Sequence, residues 1–185
     1  MLVDETGCLV APLVRRTQAP RGKTPILKQR GRHREKVSVI AALSLSPGRK
    51  RVGLYAQTHP RSFINSTKTA LFLRQLLKHL RGRVILVWDR GNMHKGPPIR
   101  KLLADYPRLE TEFLPPYAPD LNPVEHLWRH LKLDRLVNFA PDDADQLDNY
   151  LTDYLDDAKH DTRRLKACFR ASKLKLPKRL RTLAG

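Results

Sequence analysis

The run Val84-Ile85-Leu86-Val87-Trp88, closed at once by Asp89, constrains this chain more than any other stretch. Five consecutive apolar residues are too few for a buried helix. Their β-branched content points to a strand covered on both faces, inside a parallel or mixed sheet. Asp89 then stands at the carboxyl end of that strand, the edge where open α/β sheets place their ligands, and Arg90-Gly91-Asn92 turns the chain. Pro97 and Pro98 open a short helix with Ile99, Leu102, Leu103 and Tyr106 at helical spacing. A strand from Leu109 to about Leu114 follows. The stiff Pro115-Pro116-Tyr117-Ala118-Pro119 loop leads into another helix. There Asn122 suits the N-cap, Pro123 the first position, and Val124, Leu127, Trp128 and Leu131 form the buried stripe.

Glu125 borders that stripe, where core meets solvent, and can point across the end of the sheet toward Asp89. Two carboxylates from different elements would then converge. Spacing alone leaves other roles open. Asp89 also suits a turn initiator, and Glu125, three residues after Asn122, suits the third-position acid of a capping box.

Ordered blocks narrow the choice. VILVWDRGNMHK carries an acid, a turn and His94; YAPDLNPVEHLWRHLK carries the Pro-Asp-Leu-Asn-Pro-x-Glu run; 35 residues separate Asp89 from Glu125. LVDETG stands at the start, followed by APRGKTP at Ala19 to Pro25 and REKVSVIAAL at Arg34 to Leu43. Together, over roughly residues 2 to 132, these resemble the catalytic domain of DDE transposases of the Tc/mariner superfamily, in its bacterial insertion-sequence branch. Gln18 departs from the family, which commonly has a tryptophan before the Ala-Pro-Arg-Gly run.

The resemblance implies a ribonuclease H-like α/β fold, a mixed central sheet flanked by helices. It implies that Asp4, Asp89 and Glu125 are catalytic and hold two magnesium ions, for which manganese can substitute, with His94 as site support. Glu5 is then an ordinary polar neighbour. The implied activity is DNA cleavage followed by strand transfer, the cut-and-paste movement of an insertion sequence into TA dinucleotides. Hard oxygen ligands suit magnesium, and a two-ion site handles both the attacking and the leaving oxygen of a phosphodiester. The family also has helix-turn-helix modules upstream, so this chain is expected to be a fragment or to work with a separately encoded half. Pairing of element ends makes a homodimer the expected active form. Two rivals stand beside this reading: a structure-selective nuclease on the same fold, and a non-catalytic DNA-binding remnant.

Charge agrees with a nucleic-acid partner. Lys and Arg number 36 against 18 acids, a formal net charge of +18, which points to a polyanion, here double-stranded DNA. The candidate phosphate contacts fall in two segments. Arg15, Arg16, Arg21, Lys23, Arg30, Arg32 and Arg34 lie in a Pro- and Gly-rich loop, and Lys173, Lys175, Lys178, Arg179 and Arg181 lie in an acid-free C-terminal stretch. His126 and His130 are four apart on a helix, but the third ligand of a zinc pattern is missing.

The remaining elements complete the expected order. Only Met1, Leu2 and Val3 precede Asp4 in its strand, so the first strand is read as truncated. Leu9 to Val14 is apolar enough for a further strand; Lys36 to Leu45 and Arg51 to Gln57 are strands that join the opening one in an antiparallel set. A helix begins near Asn65 or Ser66, with Ala70, Leu73, Leu77 and Leu80 on one face, and Gly82 stops it. Asp142, Asp143 and Asp145 suit the start of a helix whose stripe is Leu147, Tyr150, Leu151, Tyr154, Leu155 and Ala158. The domain reading is a catalytic unit over 1–135 and a helical, basic extension over 136–185. Cys8 and Cys168 form no disulfide framework, and no apolar run approaches ~18 residues. A cytoplasmic, nucleoid-associated bacterial protein is expected.

Overall fold

The computed structural model describes residues 1–27 and 35–175. Strands β1 (Leu2–Leu9), β2 (Lys36–Leu45) and β3 (Val52–Pro60) form an antiparallel set. Helix α1 (Ser66–His79), strand β4 (Val84–Trp88), helix α2 (Pro97–Asp105) and strand β5 (Leu109–Phe113) follow. Helix α3 (Pro123–His130) runs into a π-helical turn (Leu131–Arg135), and α4 (Ala144–His160) and α5 (Thr162–Ala171) close the described order. The sheet order is β3-β2-β1-β4-β5, with β4 parallel to both its neighbours. The first and fourth strands are therefore adjacent, as the expected fold requires.

Local chemistry sets the helix starts. The side chains of Asn65, Asn122, Asp143 and Asp161 each accept a hydrogen bond from a backbone N–H of the first turn of their helices, satisfying donors that helix geometry leaves without partners.

Two apolar layers hold the sheet. Val3, Ile40, Ala42, Leu86 and Trp88 pack under Leu73 and Leu77 of α1 and Ile99 and Leu102 of α2. On the other face Leu2, Val37, Val39, Ala41 and Leu43 meet Val124 and Leu127 of α3, Leu147 and Leu151 of α4, and Leu165 of α5. Alternation along β2 feeds both layers, and each fully buried aliphatic contributes roughly 1.5–3 kcal/mol. No helix among the described residues is long and apolar enough to cross a membrane.

Two expectations need correction. Leu9 to Val14 is not a second strand: Leu9 closes β1, and beyond it an isolated bridge joins Leu13 to Val137. Val10 is still buried beside β2, but Pro12 interrupts the run and Leu13 and Val14 are exposed, so no neighbouring face selects a ladder there. β4 is not covered on both faces, because Ile85 is 43% exposed. The α3–α4–α5 layer packs over β1 to β3 and reaches β4 only at Val87, leaving Ile85 uncovered. Asp4 is the third residue of its strand. β1 continues to Leu9 and pairs with β2 at every residue, while the Met1 carbonyl accepts from the Val87 N–H.

Candidate active site

Asp4 lies within β1, opposite Ala41 of β2. Its side chain is on the α3 face, where Oδ2 accepts a hydrogen bond from the indole Nε1 of Trp128 at 3.0 Å. Burial, then the negative charges of Glu125 and Glu5, push its carboxyl up to about 8, outweighing hydrogen bonds from the Glu5 backbone and Trp128. Negative charge is crowded here.

Asp89 follows β4 directly. Its Oδ1 accepts from the Gly91 N–H at 2.8 Å, closing a turn. It is thus a turn former and a cleft residue at once. The same oxygen lies 2.8 Å from His94 Nδ1, which is also 3.1 Å from the Asp89 carbonyl oxygen. The His94 ring stacks on Trp88, with centroids 4.5 Å apart and planes 14° from parallel. On its far side Nε2 lies 3.0 Å from Glu5 Oε1. Burial alone would lower the His94 pKa, but the Glu5 hydrogen bond and charge, with Asp89 behind them, raise it overall. The imidazolium can donate to both carboxylates. Because its side chain is fully buried, His94 orders protein groups and does not itself reach a phosphate or solvent.

Glu125 occupies the first turn of α3 and is exposed. It does not close a capping box: the Asn122 N–H donates to the Pro119 carbonyl instead. Asn122 is buried, caps α3 through Oδ1, and donates from Nδ2 to the Val3 carbonyl at 3.4 Å. That contact ties the helix bearing Glu125 to the strand bearing Asp4.

These elements enclose a cleft of about 300 Å³ lined by Asp4, Asp89 and Glu125, with Arg90, Gly91, Asn122 and the loop from Leu114 to Pro119. Among the described residues, no three His, Cys, Asp or Glu side chains already stand at metal-ligand spacing. The donor set nonetheless fits magnesium or manganese, since all three acids offer hard carboxylate oxygens. Burial and the Glu125 and Glu5 charges make ionising Asp4 costly, a cost that a bound cation would offset. His130 turns elsewhere, with Nδ1 3.1 Å from the Tyr154 hydroxyl.

Sequence reasoning missed several members of this arrangement. Glu5 is not an ordinary polar neighbour, since it holds the buried His94 from the opposite face of β1 to Asp4. Strand alternation indicates that Asp4 and Glu5 point apart, but nothing in the sequence pairs Glu5 with His94. Trp128 was legible only as core. Of the basic residues, Arg16, Arg21 and Lys23 are exposed. Arg15 donates its backbone N–H to Asn138 Oδ1, and Lys173 pairs with Asp120 at 2.6 Å. Lys175 is exposed. Arg30, Arg32, Arg34, Lys178, Arg179 and Arg181 lie outside the described residues.

A family model described as DDE superfamily endonuclease matches residues 1–148. The chain belongs to this family. Among solved structures, a pre-cleavage Mos1 transpososome is similar at a TM-score of 0.61 and 16% identity, covering 95% of this chain and 56% of that one. A Mos1 transposase paired-end complex with the left transposon end gives 0.59 and 18%, covering 94% and 55%. A mariner Mos1 paired-end complex with Mg gives 0.58 and 19%, covering 95% and 56%. The mixed five-stranded sheet with flanking helices is the ribonuclease H-like fold of those transposases. The present chain spans little more than half of their length, 55–56%. A comparison with curated proteins finds no match.

Proposed function

We propose that this DDE-family domain is the catalytic part of a transposase of a bacterial insertion sequence, cutting DNA and joining the freed 3′ end to a target. The observation that carries the reading is that Asp4, Asp89 and Glu125, from three elements, line one cleft at the carboxyl edge of β4. The described part of the basic β1–β2 connection leaves from the same end of the sheet, and similar folds were solved with transposon-end DNA and with Mg.

In this proposal Asp4, Asp89 and Glu125 hold two magnesium ions. When bound, the ions would polarise the phosphodiester and neutralise charge on the attacking and leaving oxygens. The chain's own residues do the positioning. Trp128 holds one oxygen of Asp4, Gly91 and His94 hold one oxygen of Asp89, and Asn122 fixes α3 against β1. Arg90, on the cleft wall, is placed to meet a phosphate. Exposed Arg16, Arg21, Lys23 and Lys175 extend the contact along a duplex backbone. Arg15 and Lys173, together with Arg30, Arg32, Arg34, Lys178, Arg179 and Arg181, belong to the same proposed interface. A homodimer and a separately encoded helix-turn-helix half complete the proposed active complex, with residues 1–135 as catalytic unit and 136–185 as extension.

The test is magnesium-dependent cleavage of DNA by the wild-type chain against Asp89→Asn and Glu125→Gln. Both variants are expected to lose cleavage while keeping salt-sensitive DNA binding; wild-type-like cleavage by either overturns the assignment. A strand-transfer assay with a pre-cut 3′ end separates a transposase from a nuclease that only cuts.

A further inference from the structure

Tyr117 is fully exposed, its relative accessibility 103%. A lone exposed aromatic is ordinary, but three features set this one apart. It lines the same cleft as the three acids. Its backbone adopts φ 57°, the left-handed region that a tyrosine rarely occupies. Pro115, Pro116 and Pro119 stiffen the loop around it, so the ring is not left outside by a slack chain. Burying the ring elsewhere would favour folding; here a strained backbone holds it in water at the mouth of a reactive cleft. Strain of this kind gathers at functional sites.

We infer that Tyr117 is a stacking platform for a nucleobase that has left the duplex beside the scissile phosphate. The inference rests on the proposed reaction on DNA, which it deepens by naming the form of the strand that the site takes. A base inside a duplex has both faces covered by its neighbours, so a ring at the cleft rim finds a free face only on an unpaired or strand-end base. Arg90, on the same cleft lining and over the Phe113 ring at 5.7 Å, supplies a cation for the adjoining phosphate. Stacking tolerates any base, so the contact selects strand form and leaves sequence unread.

The experiment compares binding of a blunt duplex with that of the same duplex bearing a short 3′ overhang, in calcium, for wild type, Tyr117→Asn and Tyr117→Phe. Asparagine accepts the left-handed backbone, so this variant removes the ring without straining the loop, and a thermal melt checks that it folds. Wild type and Tyr117→Phe are expected to favour the overhang. Tyr117→Asn is expected to lose that preference, binding the overhang roughly 5- to 100-fold more weakly, with blunt-duplex binding unchanged. Equal binding of both DNAs by wild type and Tyr117→Asn overturns the inference, and magnesium-dependent cleavage by wild type would then leave the proposed function standing. Absence of both binding and cleavage in wild type overturns the two together.

Discussion

Glu5 Oε1 lies 3.0 Å from His94 Nε2, although 89 positions separate the two residues in sequence. The contact continues through the imidazole to Asp89, whose Oδ1 is 2.8 Å from His94 Nδ1. A carboxylate that faces away from the cleft on one strand thereby orients a cleft carboxylate after another. Removing Glu5 should loosen Asp89 without touching the cleft. We expect Glu5→Ala to slow DNA cleavage by about 10- to 100-fold and to raise the magnesium needed for half-maximal rate. Glu5→Gln, which keeps a hydrogen-bond partner for His94, should fall between that variant and wild type. A magnesium titration identical to wild type for Glu5→Ala would sink the idea.

Gly91 is required by close approach. A Cβ built there would lie 2.9 Å from Asp89 Oδ1 and 2.5 Å from Met93 Sδ. The flexible thioether can swing aside, but the Asp89 oxygen is held by the Gly91 N–H and by His94. Gly91→Ala should therefore move the carboxylate. We expect a loss of up to about 100-fold in cleavage rate at saturating DNA, with DNA affinity near wild type. Single-turnover kinetics beside a binding titration would show the split.

Trp128→Phe deletes the one indole donor to Asp4 while keeping most of the buried ring. The lost hydrogen bond to a charged acceptor and the small cavity together should cost about 1–3 kcal/mol, read by urea denaturation with magnesium present. Cleavage should fall while Trp128→Phe still folds. An unchanged rate would show that Asp4 needs no partner on α3.

Asp4 makes a prediction about pH. Its carboxyl is raised to about 8 in the folded, metal-free chain, chiefly by burial and then by the charges of Glu125 and Glu5. Below pH ~4 the group is neutral in both states and costs nothing. As pH rises from there to about 8, the unfolded chain releases a proton that the folded chain keeps. Stability therefore declines across this window, and the penalty is complete above it. Asp4→Asn removes the penalty. In EDTA at pH 7 it should be more stable than wild type by on the order of 1–4 kcal/mol, although inactive. Magnesium should raise the melting temperature of wild type and have less effect on the variant. A less stable Asp4→Asn chain at pH 7 would contradict the crowding of negative charge described here.

Much of the architecture was legible because its causes are local. The apolar runs of β4 and β2, the helix-start residues Asn65, Asn122 and Asp143, and the stripe of α4 each announce an element without knowledge of its neighbours. The order of those elements, with the motif blocks around Asp4, Asp89 and Glu125, led to a ribonuclease H-like sheet with the first and fourth strands adjacent, as found. Where apolar character alone was used, it misled. Past Val10 the run to Val14 is apolar yet joins no ladder, and the coverage of β4 depends on where α3, α4 and α5 settle.

The sequence by itself determined most of the helices and strands, though not α5, and its motif blocks named the three candidate acids. Those properties follow from backbone preference, periodicity and side-chain chemistry within a few residues. Only the tertiary structure decided that Glu5 would hold His94, that Trp128 would bond Asp4, that Asn122 would bridge to Val3, and that Tyr117 would stand bare at the cleft. Each is a directional or steric relation between distant elements, set within a few ångströms by how helices rest on the sheet, and no local rule encodes that placement.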